Sequence, residues 1–264
     1  MVKKRTYFPM EEAPLSRELN VVIVDTSTDL RRFLASLRAI EMDPVPLFIE
    51  FKGINVGRKG TLLIISIYVR SEKTIYLIDI HTLGAEAFRI QDSTGATLKS
   101  IFECTVLRKA VFDLRNGADI LYSQYDVSMG GVEDIQLMEW ATREGPRKYV
   151  KMLSTCVQDD SFLSIEDKAR WKFNDESGKE LFWPERSSEM SHKRLKWDTL
   201  PAEIKDHCAD SVMVLPGLFN VYATRPEQKG SFWSPNLRAA INTRLSYTKE
   251  KGFDVYCRSN VYGP

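Results

Sequence analysis

The chain separates its strand signals from its helix signals, and this separation constrains the fold more than any other feature. The β-branched and aromatic runs typical of strands lie at 21–24, 47–51, 62–69, 74–80 and 109–112. From about residue 149 onward strand signals nearly vanish, and helical patterns lie at 149–157, 162–172, 201–222 and 236–246. Early strands followed by late helices predict an α/β protein whose mixed central sheet is flanked by helices.

The strand-like runs between residues 47 and 80 predict an antiparallel meander early in this sheet. The runs 47–51 and 62–69 are joined by the turn-rich segment 53–60, and the run 74–80 follows after a short break. Further along, helical patterns at 98–102, 118–124 and 134–142 alternate with the short strand at 109–112. The later part of the sheet is therefore expected to be connected through helices.

The length of 264 residues fits one large α/β domain. We expect an N-terminal arm at 1–19, because this stretch carries charges and two prolines without any periodicity. A single domain is expected over 20–264, with a motif-bearing core at 20–225 and a C-terminal helix and tail at 226–264. The Ser-, Glu- and Lys-rich stretch 174–196 predicts an irregular surface excursion.

Composition and charge limit the classes of function. The content of 43% hydrophobic and 28% charged residues is typical of a folded globular protein, and a net charge of +1 means that nucleic-acid binding needs a local basic face. The four cysteines lie about fifty residues apart, without the short spacings of zinc sites, which favours a reducing intracellular location, cytoplasmic or nuclear. The longest apolar run, 62–69, is too short to span a bilayer, so we expect no membrane partner.

Three segments carry a resemblance to a known family. They are Leu47–Gly53 with Arg58–Leu62, then Val111–Leu121 with Gly131–Met138, and finally His207–Val212 with Leu215–Leu218 and Tyr222. In order and separation they resemble the RNase D-like branch of the DEDD exonuclease superfamily, especially its fungal and animal exonuclease-domain-containing proteins. The resemblance covers roughly residues 20–225 and implies an RNase H-like fold that, in the family, supports 3′-to-5′ exonuclease activity.

The resemblance also implies where metal-binding carboxylates would lie. In the family, four carboxylates hold two divalent ions about 4 Å apart, and the ions activate water and stabilise the developing charge. This chain departs from that set at each motif. Glu50 stands in place of Asp, Lys52 in place of Glu, Gly117 and Ser211 in place of Asp, and His207 in place of Tyr. Because a cation among the ligands competes with the metal, we expect no intact catalytic set and no bound cofactor.

Nearby acidic residues leave a rearranged site open as an alternative. Asp113, Asp119 and Asp210 lie close in sequence to the replaced positions, and His207 would then position a water. If the site is active, we expect Mg²⁺ or Mn²⁺ held by Glu50 and Asp119. Asp210 is one residue away from the motif position and is therefore rotated by about 100° around its helix.

Two short basic segments are candidate contacts to nucleic acid. Arg58 and Lys59 lie in the glycine-rich turn, and Arg115 and Asn116 follow a predicted strand at the edge that faces substrate in the family. The spacing of the turn glycines fits no known phosphate-binding loop, so a tight turn between strands is the simpler interpretation. Arg115 and Asn116 would equally serve to begin the next helix.

These observations lead to one leading hypothesis and two alternatives. The leading hypothesis is an inactive or strongly impaired exonuclease-like domain that binds single-stranded RNA or DNA, or a protein partner in an RNA-silencing or RNA-processing complex. The first alternative is a metal-dependent 3′-to-5′ exonuclease with a rearranged site. The second is a structural scaffold that acts through homodimerisation.

Overall fold

A computed structural model describes residues 20–40, 45–182, 200–225 and 235–263 of the chain. Within these residues the strands are β1 (Asn20–Val24), β2 (Leu47–Ile54), β3 (Thr61–Val69), β4 (Thr74–Asp79), β5 (Lys109–Val111) and β6 (Val132–Asp134). The first helices are α1 (Ser27–Ser36), α2 (Ile80–Leu83), α3 (Leu98–Glu103), α4 (Leu114–Tyr125) and α5 (Ile135–Thr142). They are followed by α6 (Leu153–Asp160), α7 (Ile165–Phe182), α8 (Ala202–Thr224) and α9 (Pro235–Tyr247).

The strands form one mixed sheet in the order β1-β4-β3-β2-β5-β6. The antiparallel pairs β2–β3 and β3–β4 make the central meander, while β1 pairs with β4, β5 with β2 and β6 with β5 in parallel. The prediction of a mixed α/β sheet with an early antiparallel meander is therefore confirmed. β3 lies inside the sheet and is buried from Leu62 to Val69, which explains its continuous apolar run.

The long helix α8 packs across the sheet. It is in contact with β2, β3, β4 and β5, and the ring of Phe219 meets that of Phe48 edge-on with centroids 5.7 Å apart. Helices α5, α6 and α7 are in turn in contact with α8. Helix α4 is in contact with β2 and α9, and α9 also touches α5 and β6. None of the described helices is long and apolar enough to cross a membrane.

Helix α7 is longer than the sequence pattern indicates. It continues to Phe182, so the stretch 174–182 is helical, and the expected irregular excursion is wrong for these residues. The helix has apolar side chains on more than one face, which weakens the periodic signal on which the prediction depended. Residues 183–196 lie outside the described residues, as do the arm at 1–19 and residues 226–234. The proposed division at residue 225 stays a prediction.

Candidate functional site

The first motif contains an ion pair. Glu50 and Lys52 lie two residues apart on β2, so their side chains share one face of the sheet. The Lys52 Nζ atom lies 2.6 Å from Glu50 Oε1, and the two side chains are only 15% and 18% exposed. Burial lowers the pKa of Lys52, but the adjacent Glu50 carboxylate outweighs this effect and holds the pKa above its usual value. Lys52 is therefore a cation at neutral pH.

The hydroxyl of Ser66 and the thiol of Cys208 lie beside this pair, and the Asp175 carboxylate also acts on Lys52. Ser66 lies opposite Glu50 in the β2–β3 register, and burial raises the pKa of the nearby Cys208 thiol to about 12. Glu50 Oε2 is buried and has no hydrogen-bond partner among the described residues. The carboxylate is thus compensated mainly by one ammonium group.

The third motif is enclosed by helix α7. His207 on α8 is 4% exposed, its Nδ1 atom lies 3.1 Å from the Asn174 carbonyl oxygen, and its ring lies 5.8 Å from that of Phe182. A Cβ atom at Gly178 would come closer than 3.0 Å to the imidazole, so only glycine lets α7 approach this closely. Burial, together with the positive charge of Lys52, lowers the pKa of His207 to about 3. The imidazole is therefore neutral.

Asp210 and Ser211 continue the same contact. Asp210 Oδ2 accepts a hydrogen bond from Asn174 Nδ2 at 2.5 Å, and the Asp210 carbonyl accepts one from Trp171 Nε1 at 3.2 Å. Burial raises the pKa of Asp210. Ser211 is almost completely buried. Asp210, proposed from the sequence as a replacement ligand, is thus engaged by α7.

At the second motif, an aromatic ring occupies the space beside Gly117. Gly117 lies in α4, and a Cβ atom built there would come closer than 3.0 Å to the ring of Phe51. Phe51 also packs on Phe102, with ring centroids 6.0 Å apart. The space that an aspartate at position 117 would need is therefore occupied by Phe51. Sequence reasoning did not identify Phe51, because it lies between the two motif residues of β2 and has no polar signal.

Asp119 is paired with Arg58 across 61 residues of sequence. Its Oδ1 atom lies 2.9 Å from Arg58 Nε and 2.6 Å from Nη2, and its Oδ2 atom accepts the Arg58 backbone N–H at 2.6 Å. The Asp119 side chain is only 1% exposed. Both carboxylate oxygens thus serve to fix the β2–β3 turn. The remaining Arg58 donors reach the backbone carbonyls of residues 248, 250 and 251.

Asp113 and Arg115 form a second bidentate ion pair. Arg115 Nε and Nη2 each lie 2.6 Å from an Asp113 carboxylate oxygen, and Arg115 Nη1 donates to the Asn260 carbonyl at 2.6 Å. Burial raises the pKa of Asp113, but Arg115 and Arg244 outweigh this and keep it low. Asn116 is half-buried, and Lys59 is exposed. The prediction that Arg58, Lys59, Arg115 and Asn116 contact nucleic acid stays a prediction.

These side chains do not fit a pair of divalent ions. At the five motif positions they supply one carboxylate, which already faces an ammonium, together with a glycine, a serine and a neutral imidazole. No group of three His, Cys, Asp or Glu side chains able to hold a metal ion occurs within the part of the chain that the structure describes. The proposed ligands Glu50 and Asp119 each have a cationic partner instead.

Comparison with known proteins identifies structures with the same fold. No protein-family model matches the chain, and no curated protein sequence matches it. The structure superposes on Trypanosoma brucei RNase D in complex with GMP, at TM-score 0.68 and 15% identity over 91% of this chain and 67% of that chain.

Two bacterial proteins give the same result. Escherichia coli RNase D, an exoribonuclease involved in structured RNA processing, matches at TM-score 0.61 and 15% identity over 88% of this chain and 51% of that chain. Brucella melitensis NrnC with bound Mg²⁺ matches at TM-score 0.55 and 13% identity over 91% and 98%. The resemblance seen in the three motifs is confirmed in the architecture, and the chain has the RNase H-like fold of the DEDD 3′-to-5′ exonucleases.

Proposed function

We propose that this chain is an exonuclease-fold domain that binds single-stranded nucleic acid without cleaving it. The observation that carries the proposal is the Lys52–Glu50 ion pair, with Nζ 2.6 Å from Oε1, at the two positions where the family resemblance implies metal-binding carboxylates. A fixed ammonium group there opposes the entry of a divalent ion, whose binding depends on hard anionic oxygens. The metal-dependent alternative needs Glu50 and Asp119 to exchange these partners for an ion.

The fold supports nucleic acid as the ligand. A related structure of Trypanosoma brucei RNase D contains U12 RNA, at TM-score 0.61 and 15% identity, and one of Brucella melitensis NrnC contains pGG, at TM-score 0.53 and 13% identity. In our proposal this chain keeps strand binding and has lost the chemistry. Such a domain would act within an RNA-silencing or RNA-processing assembly, by holding a strand for another component.

The test uses one sample for binding and cleavage. Fluorescein-labelled single-stranded U12 RNA is titrated with the protein, with and without Mn²⁺, and the RNA is then sized on a denaturing gel. We expect salt-dependent binding and RNA of unchanged length. Metal-dependent shortening that disappears in Glu50→Ala would refute the proposal and favour the rearranged nuclease.

A second candidate function is protein interaction, and one observation favours it. Helix α7 exposes Ile165 and Phe173 at 84% and 69%, and Phe162 just before the helix is also exposed. A contiguous exposed apolar patch is typical of a surface that a protein partner covers, and in this candidate function these three side chains form such a patch. Sedimentation analysis tests the homodimer form. A dimer that Phe173→Asp converts to monomer supports it, whereas a monomer at all concentrations refutes it.

A further inference from the structure

A cavity of about 580 Å³ lies between the β2–β3 turn and the segment that follows α9. Its lining includes Lys59, Asn55, Lys251, Asp254 and Tyr256. None of the five motif positions lines it. Its size lies within the range of about 300–1,000 Å³ that is common for small-ligand sites.

Backbone geometry and a buried ion pair fix the walls of this cavity. Gly57 has φ of 152°, and a Cβ atom there would come within 3.0 Å of Val255 Cγ2, so the two walls approach closely only because residue 57 is glycine. The Arg58 guanidinium joins the walls by binding Asp119 and the carbonyls of Thr248, Glu250 and Lys251. The cavity is therefore preorganised, and Arg58 is engaged in holding it.

The charged groups available to a ligand are on Lys59, Lys251 and Asp254. Both lysines are exposed, and neither takes part in an ion pair within the described residues. Asp254 is exposed, and its Oδ1 atom accepts the Tyr256 backbone N–H at 3.0 Å. Two ammonium groups match the negative charge of a phosphate, while a carboxylate accepts hydrogen bonds from a ribose hydroxyl or a base amine.

Aromatic surface lies at the same place. Tyr256 is 51% exposed, and burial raises its pKa, so the phenol is neutral at neutral pH. Lys249 precedes the lining residue Lys251 by two positions, and its Nζ atom lies 5.6 Å from the centroid of the exposed Tyr122 ring. Ammonium groups alternating with exposed aromatic rings are typical of surfaces that bind single-stranded nucleic acid.

We propose that this cavity binds one nucleotide of a single strand, with its phosphate at Lys59 and Lys251 and its base on Tyr256. The inference deepens the proposed function and rests on it. The neighbouring Tyr122 and Lys249 extend the path to an adjacent nucleotide. Strand binding then occurs at a cavity separate from the Lys52–Glu50 pair, so the loss of the metal site leaves it intact.

The experiment measures U12 affinity over a series of salt concentrations for the full chain and its variants. Tyr256→Leu removes the stacking surface and is expected to weaken binding by about 5- to 150-fold. Lys59→Ala and Lys251→Ala are each expected to weaken binding and to lower the salt slope by about 1. Lys172→Ala, an exposed lysine on α7, is the matched control and should leave the affinity unchanged.

The outcomes separate the two proposals. If the wild-type protein binds U12 while the Tyr256 and both lysine variants bind equally well, this inference is overturned and the proposed function stands. If the wild-type protein binds no U12 even at low salt, both are overturned. If free GMP displaces U12 from the wild-type protein and the three variants weaken GMP binding as well, the cavity is a nucleotide site. If inorganic phosphate displaces U12 and GMP does so no better, the cavity is an anion site, and the role of Tyr256 is contradicted.

Discussion

Replacing Gly178 by alanine tests whether α7 packs against α8 at the third motif through its contact with His207. In an open helix this change stabilises a protein by about 1 kcal/mol, because glycine is the poorer helix former. Here the new Cβ would come closer than 3.0 Å to the imidazole. His207 is buried and hydrogen-bonded to Asn174, so it has little room to move. Overpacking of this kind costs about 1–3 kcal/mol, and losing the hydrogen bond adds about 1 kcal/mol.

We therefore expect Gly178→Ala to lower the free energy of unfolding by about 1–3 kcal/mol. Gly217→Ala in α8 is the matched control, since a Cβ atom there meets nothing within 4 Å, and it should stabilise by about 0.5–1 kcal/mol. Urea unfolding followed by intrinsic tryptophan fluorescence, to which the buried Trp171 contributes, measures both changes. Equal stabilisation by the two substitutions would show that α7 does not lie against His207.

Three other perturbations test buried polar groups. Because the pKa of His207 is about 3 in the fold and about 6.5 in the unfolded chain, the free energy of unfolding should fall from pH 6.5 downward, by about 2 kcal/mol at pH 5. In urea unfolding of His207→Phe, this fall in the free energy of unfolding at low pH should be absent. Asp119→Ala leaves Arg58 without its buried partner and should cost about 3–5 kcal/mol in thermal unfolding; an unchanged transition would contradict the pairing. The ammonium group of Lys109 donates to three carbonyls, so Lys109→Met should destabilise by about 2 kcal/mol, whereas the exposed Lys73→Met should not.

The longer strands of the sheet could be predicted from the sequence because each is marked by a run of consecutive apolar residues. The run 62–69 is buried as one central strand, and the predicted helix at 201–222 corresponds to α8, which spans Ala202–Thr224. The end of α7 could not be predicted in this way. Besides Trp171 and Phe182, its contact with α8 uses Asn174 and Gly178, which contribute to no apolar period.

The candidate site was only partly accessible to the same reasoning. The pairing of Glu50 with Lys52 follows from their spacing on one strand, since residues i and i+2 share a face. The pair Arg58–Asp119 joins residues 61 apart, and the contact of His207 with Asn174 joins residues 33 apart. Contacts between residues so far apart in the chain produce no periodic pattern in the sequence. For this reason Asp119 was a candidate ligand in the sequence and is an ion-pair partner in the structure.

The side chains at the three motifs are each stabilised by their own neighbours, and this bears on whether a metal-binding carboxylate could be introduced at any one of them. A carboxylate at position 52 would face Glu50 without a cation, at 117 it would overlap the ring of Phe51, and at 211 it would enter a buried part of α8. Each reversal alone is therefore unfavourable, because each position is stabilised by a different neighbour. The Arg58–Asp119 pair and the cavity beside it use none of these positions. In our proposal, strand binding at the cavity therefore does not depend on the side chains at the motif positions, and a chain of this fold could bind a strand without cleaving it.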